Sequence, residues 1–283
     1  MDAITCRIAA LHIHPIKSCA GRAVDAARLV ETGLELDRAW MVVDEQGVML
    51  TQRAWPRMAL VSTQLRTDDL VLRAPGMLAL HLRLDAVEAA TRARVWNDEV
   101  RAFDMGDLAA QWFGDFLGQR VRLVRFDPDQ RRLASHEWTG DIEAETSFVD
   151  GFPLLVLGTA SLAELNVRLV RAGGAGVGIE RFRPNVVLEG LEAFDEDHID
   201  ELSLATDEGP VRLRLVKPCV RCTIPNVDPA TGVSAPAVGD TLAGFRADAR
   251  MKGGVTFGMN AVIVEGTLRV LRVGQTAQVS YRF

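Results

Sequence analysis

Short apolar runs recur along the first half of this chain at an interval that points to β-structure. MALVSTQLR, DLVLRA, LALHLRL, ARVWNDEVRAF and RVRLVRF follow one another, separated by Asp-Asp, Pro-Gly and Asn-Asp turn signals. Just before them, AWMVVDEQGVMLT (39–51) sets two apolar runs around Asp44-Glu45-Gln46-Gly47. That is a hairpin signal, with a glycine available for a positive φ. Strands this short and this frequent predict a small barrel or sandwich. Between the last two runs, DLAAQWFGDFLG predicts a helix that lies over the barrel with Leu108, Trp112 and Phe116 on its buried face.

Residues 127–147, DPDQRRLASHEWTGDIEAETS, are polar and aperiodic, and are read as a linker or mobile segment between two domains, 1–126 and 148–283. The second domain opens with FPLLVLG, a buried-strand pattern. SLAELNVRLVRAGG then predicts a helix with Ser161 and Glu164 as a capping box, a Leu162/Leu165/Leu169 stripe, and Gly173-Gly174 as its end. NVVLEG, VRLRLVKP, MNAVIVEG, LRVLRVG and AQVSYRF are again β in character. The expected fold class is mainly β with a few helices (α+β), in two modules.

A length of 283 residues is ample for two domains that each bury a core. A formal net charge of −6 makes broad contact with nucleic acid or an acidic membrane unfavourable, while leaving room for a local anion site. The start, MDAITCRIAALHIH, has no basic stretch ahead of an apolar core, and no window approaches the roughly 20 apolar residues of a membrane helix. The expected location is cytoplasmic, without a membrane or nucleic-acid partner. Only three of the 32 basic residues are lysines, Lys17, Lys217 and Lys252. Two of these lie in the chemically richest stretches, HPIKSC and KPCVRC, and a lysine and an arginine are not interchangeable there.

KPCVRCTIPNVDPATG (217–232) poses the functional question. Cys6, Cys19, Cys219 and Cys222 are too few to staple a chain of this size, and a reducing compartment keeps them as thiols. A structural zinc site wants four ligands, often as two pairs, and here there is one pair. A thioredoxin-type pair wants its first thiol at a helix N-terminus, which Pro225 and Pro229 preclude. Two packed loop cysteines remain the plain alternative. However, HPIKSCAG (14–21), LELDRAW (34–40), DGFPLL (150–155) and RFRPNVVL (181–188) each add a cation, hydroxyl or glycine beside a strand end.

Taken in order, HPIKSC, DRAWMVVDEQGVMLTQR, FVDGFPLLVLGTASLAELN, FRPNVVL and KPCVRCTIPNVDPATG resemble the MOSC family, named for the C-terminal domain of molybdenum cofactor sulfurase. The likeness is to its two-domain branch, which includes the mitochondrial amidoxime reducing component and bacterial relatives. It implies an N-terminal β-barrel module, a MOSC β-barrel domain, and binding of the molybdenum–molybdopterin cofactor. By the same resemblance Cys222 is the thiolate that ligates the metal, with Cys219 as the alternative, and a soft thiolate suits such a centre. Lys17, Ser18, Arg38, Arg183 and Asn185 match positions that hold the anionic pterin and its phosphate. The backbone amides of Val220 and Arg221 serve beside the metal. Gly151 and Phe152 fall at a further contact, where relatives carry small hydroxyl residues.

The implied activity is reduction of N-hydroxylated compounds. With no C-x4-C-x2-C run and no flavin or haem expected in this chain, electrons are expected from a separate donor protein of ferredoxin or flavin reductase type. Asp228 stands as a candidate proton relay, beside a plainer reading as a turn aspartate before Pro229. The alternative function is a cofactor carrier or sulfur-transfer (persulfide) module without redox turnover.

Overall fold

A computed structural model describes residues 4–282. Strands hold 41% of the chain and helices 19%, as the apolar alternation predicts. At the centre is a closed seven-strand barrel. Its strands run in the order Leu154–Gly158, Val186–Glu189, Thr5–Ile13, Thr276–Tyr281, Ile199–Thr206, Gly209–Val220 and Gly254–Glu265, and the last pairs back onto the first. Closure leaves those strands without free edges. One pair, Leu154–Gly158 with Val186–Glu189, is parallel. It needs a crossover, which the helix Thr159–Arg171 provides.

The strand Thr5–Ile13 opens the chain, yet it sits inside the barrel built by the second half, antiparallel to both Val186–Glu189 and Thr276–Tyr281. Cys6, Ile8, Leu11 and Leu29 share one core with Leu154, Leu188, Leu213 and Met259. The first 126 residues and the last 136 are thus interlocked rather than strung in series. Gly33 marks a close approach within that interlock. Its φ is 120°, and an added Cβ would lie 2.4 Å from the carbonyl oxygen of Pro153.

The first unit, built from the N-terminal half, is a four-strand antiparallel sheet, Trp40–Val43, Arg122–Phe126, Asp98–Asp104 and Ala89–Val95, beside the small sheet Ser62–Leu65, Asp69–Arg73 and Leu80–Arg83. The expected hairpin after Trp40 forms, with Gly47 at φ 75° and Asp44 Oδ1 accepting from the Gln46 and Val48 amides. The helix Asp107–Leu117 covers this unit, but its buried face is Ala109, Trp112, Phe113, Phe116 and Leu117, and Leu108 is 66% exposed. A strict four-residue spacing drifts by about 40° per step on a helix of 3.6 residues per turn, so Leu108 falls off the stripe that Phe116 occupies.

The crossover helix also differs from expectation at its start. It begins at Thr159, and Ser161 lies buried in the first turn instead of capping it. The Ser161 hydroxyl donates to Glu196 Oε2 at 2.7 Å and accepts from the Phe194 amide. Glu196 Oε1 accepts from the Gly158 amide at 3.1 Å, so a carboxylate from a distant segment serves the helix N-terminus. Glu164 pairs with Arg168 one turn on. A short helix, Ala237–Ala243, was not foreseen.

Residues 127–147 are packed against both units. Ala134 and Ala144 bury against Val216 and Val262 of the barrel. Arg132, itself buried, pairs with Asp98 of the sheet and donates to the carbonyls of Ser147, Val149 and Asp150. No helix among the described residues is long and apolar enough to cross a membrane.

Replacing Gly33 with alanine should cost about 2–4 kcal/mol, combining a disfavoured φ with a forced separation from Pro153. The check is the urea midpoint: an unchanged value would show that the two halves move apart freely at this point.

Candidate functional site

Loops from both units meet at one end of the barrel and line a cleft. HPIKSC brings Lys17 and Ser18, the turn before Trp40 brings Arg38, DGFP brings Asp150, Gly151 and Phe152, and the stretch before Val186–Glu189 brings Arg183. The strand Gly209–Val220 delivers Cys219, Val220, Arg221 and Cys222. Pro218 helps aim that end. Pairing with Ile199–Thr206 stops at Arg214, so Pro218 occupies a stretch hydrogen-bonded on one side only, where its missing N–H is tolerated. The register with Gly254–Glu265 shifts twice nearby, between Leu215 and Lys217 and between Pro218 and Val220, and such irregularities re-aim side chains.

Ser18, Arg38 and Arg183 all have left-handed backbones, with φ of 65°, 49° and 57°. Few non-glycine residues adopt this conformation, and where surrounding structure enforces it the residues cluster at functional sites. Hydrogen bonds from neighbouring loops hold it here: the Arg38 amide donates to the His14 carbonyl and the Phe148 amide to the Arg38 carbonyl.

A buried polar network fixes the cations. Arg38 pairs through Nη1 with Asp37, reaches Asn185 Oδ1 at 3.2 Å, and donates from Nη2 to the Arg183 carbonyl at 3.0 Å. The Asp37 carboxylate also accepts from the His14 amide at 2.7 Å. Burial opposes its ionisation, but Arg38 and the His14 contacts outweigh that and hold its pKa at about 2 against the usual 3.8. His14 is kept neutral by burial and by the charges of Arg38 and Arg183. Burial and Arg38 push Arg183 down to about 9. Its Nη1 donates to the Cys19 carbonyl, and its buried Nη2 has no partner among the described residues.

On the other wall Lys17 Nζ donates to the Phe148 carbonyl at 2.8 Å and to Asp150 Oδ1 at 2.5 Å. Burial lowers the Lys17 pKa and Asp150 opposes the shift. Desolvation works against an ionised Asp150, yet Lys17 and the Trp96 indole N–H, 3.2 Å away, hold it well below the usual carboxylate range. Arg221 donates to Cys219 Sγ at 3.0 Å and to the Phe182 carbonyl at 2.6 Å, while its buried Nε is unpartnered. Cys222 is exposed. Cys6 and Cys19 are sealed in the two cores, where burial raises their thiols to about 11 and about 12.

Of the residues expected from the sequence, Lys17, Ser18, Arg38, Gly151, Phe152, Arg183, Cys219, Val220, Arg221 and Cys222 line the cleft. Asn185 stands behind it, accepting from Arg38 and from the Leu155 amide. Asp228 is not brought there: Arg181 pairs with its carboxylate at 3.1 Å, and it accepts from the Ala230 amide within its own turn. Sequence reasoning passed over Asp37 and Asp150, which stand inside motifs it singled out, and over Arg53 and Trp96. Among the described residues no three His, Cys, Asp or Glu side chains converge as a metal cage.

Residues 5–120 match the MOSC N-terminal beta barrel domain, and residues 143–278 match the MOSC domain. The chain belongs to the MOSC family. Mitochondrial amidoxime reducing component 2 of Bos taurus is 40% identical over 235 residues, 80% of this chain and 68% of that protein. Mitochondrial amidoxime-reducing component 1 of Homo sapiens is 37% identical over 236 residues, 80% of this chain and 67% of that protein. The cleft of this MOSC protein lies where its two matched regions meet.

Removing the Asp37 charge with Asp37→Asn leaves Arg38 and Arg183 without their buried counter-ion and should cost about 3–5 kcal/mol at pH 7. Because the folded pKa lies below the unfolded one, this contribution is complete above pH 3.8 and is lost as pH falls through about 2. The gap between the urea titrations of wild type and variant should therefore narrow by about 2.4 kcal/mol as pH falls from 4 to below 2. A constant gap across that range would show that Asp37 is not the ionised hub.

Proposed function

We propose that this protein holds a molybdenum–pterin cofactor in the cleft and reduces N-hydroxylated compounds, with electrons from a separate donor protein. The observation that carries the reading is the pair of buried guanidinium N–H groups left without acceptors, Arg183 Nη2 and Arg221 Nε, flanking a cleft that also holds two thiols. An orphaned buried donor marks a guanidinium whose charge the protein leaves partly unanswered, and an anionic group in the cleft lined by both residues compensates that charge. A phosphorylated pterin offers acceptors suited to planar guanidinium forks and to the Lys17 point charge. The names of the bovine and human relatives agree with an N-reductive role.

In this reading Lys17, Arg38 and Arg183 grip the anionic end from two units of the fold, and Asn185 keeps Arg38 in line. Cys222, exposed at the strand end, supplies the metal thiolate. Cys219 is held against the wall by Arg221. The bound cofactor supplies the two-electron chemistry that takes oxygen from an N–OH group. Asp150, kept ionised by Lys17, accepts from the N–H groups of an amidine-like substrate and does not act as its proton source. Asp228, engaged by Arg181 outside the cleft, has no part.

Protein made in a host that synthesises molybdopterin should carry about one molybdenum per chain and reduce benzamidoxime with dithionite-reduced viologen, though not with NADH alone. Cys222→Ser should lose both the metal and turnover, while Cys219→Ser retains most of the metal. The reverse ranking would reassign the thiolate. A fully loaded protein that reduces no N-hydroxylated compound would remove the reductase reading.

A further inference from the structure

Five cations line the cleft: Lys17, Arg38, Arg53, Arg183 and Arg221. Four of them donate hydrogen bonds to protein groups. Among the described residues, Arg53 donates none and has no carboxylate within salt-bridge distance. Instead its guanidinium carbon lies over the Trp96 indole, 4.1 Å from the ring centroid. A cation–π contact uses none of a guanidinium's N–H groups as donors to acceptor oxygens, and it favours Arg over Lys.

Trp96 is built for the task at a local cost. It sits in the two-residue tip of the hairpin that joins Ala89–Val95 to Asp98–Asp104, with φ at 57°. A bulky residue in that conformation is an outlier, and a glycine or asparagine would fit the backbone better. It is held there by two contacts into the cleft, its indole N–H to Asp150 and its ring face to Arg53. It is also 42% exposed, so core burial does not account for its presence. The Arg53 charge adds to the set that keeps Asp150 ionised, although no hydrogen bond joins them. Asp150 and Arg53 thus present an acceptor and a fork of donors, both in contact with one indole.

We infer that Arg53, held over the Trp96 ring, is a specificity-determining residue that selects N-hydroxylated substrates carrying a carboxylate away from the N–OH group. The inference rests on the reductase reading for its substrate class. Asp150 takes the amidine-type N–H groups, and the Arg53 edge takes the carboxylate bidentately, so the two ends of the substrate are read by opposite charges. Trp96 acts through Arg53 and Asp150 as a positioning residue.

The test compares 4-carboxybenzamidoxime with benzamidoxime on molybdenum-loaded protein, by viologen-driven kinetics and by equilibrium dialysis. Wild type should prefer the carboxylated compound in kcat/KM. Arg53→Gln should reduce that preference about 10- to 100-fold, the scale of a lost charge-assisted contact, mainly through KM. Trp96→Leu should reduce it in the same sense, and Trp96→Phe, which restores a ring face, should recover it in part. Molybdenum content, measured on each variant, should match wild type.

Loss of the metal in Arg53→Gln would make Arg53 a cofactor contact and overturn the inference, as would an equal effect on both substrates or none on either. If wild type turns over neither compound, the reductase reading fails by itself. Dialysis then still decides this one: carboxylate-selective binding lost in Arg53→Gln upholds the selector, and indifferent binding refutes it.

Discussion

One carboxylate, Asp37, is buried between Arg38 and the His14 amide, and the charge balance of the cleft follows from it. Two guanidiniums lie in the same low-dielectric region, and a single anion answers them. Burial, reinforced by the charges of Arg38 and Arg183, keeps His14 neutral. On the opposite wall Lys17 and Asp150 form a balanced pair. The cleft therefore retains a net positive charge that the protein does not cancel. Uncompensated buried charge costs several kcal/mol, so the frame around the cleft must sustain it.

Sustaining it requires a rigid frame, and interlocked halves supply that. Arg38 comes from the first unit and Arg183 from the second, yet Arg38 donates to the Arg183 carbonyl and both have left-handed backbones. Each such residue carries a conformational cost of about 1–2 kcal/mol that local sequence does not repay. The strand Thr5–Ile13 enters the barrel and emerges directly into HPIKSC, so the loop bearing Lys17 and Ser18 is anchored by seven-strand closure. Inserting that strand makes the first unit part of the frame against which the second unit's loops are set.

The sequence was informative where a residue's role is local. Alternating apolar runs located most strands because strand periodicity is a property of neighbours, and the Asp44–Gly47 hairpin was readable for the same reason. It was silent where a role depends on a distant partner. Glu196 serves a helix 37 residues upstream through the Gly158 amide, and Ser161 consequently answers to Glu196 and Phe194 instead of its own helix end. Asp37 and Asp150 were visible as letters. Acids that set cations in place carry no local pattern of their own, because the pairing depends on the fold. Trp96 was hidden because the turn signal pointed to Asn97-Asp98, whereas the left-handed residue is the tryptophan before them. Asn185 was found by resemblance, but its place as a support behind Arg38 emerges only from the hydrogen bonds.

The two sets of cysteines show how the frame also decides reactivity. Cys6 and Cys19 lie in separate cores, and burial raises both thiols so far that they remain protonated and inert as ligands. Cys219 and Cys222 follow Pro218 at a strand end whose pairing is already irregular, so their sulfurs are turned out of the barrel wall and into the cleft. Arg221, between them in sequence, reaches back to Cys219 Sγ and leaves Cys222 without a competing contact from that guanidinium. At this strand end an exposed thiol, the unpartnered Arg221 Nε and an open cleft coincide.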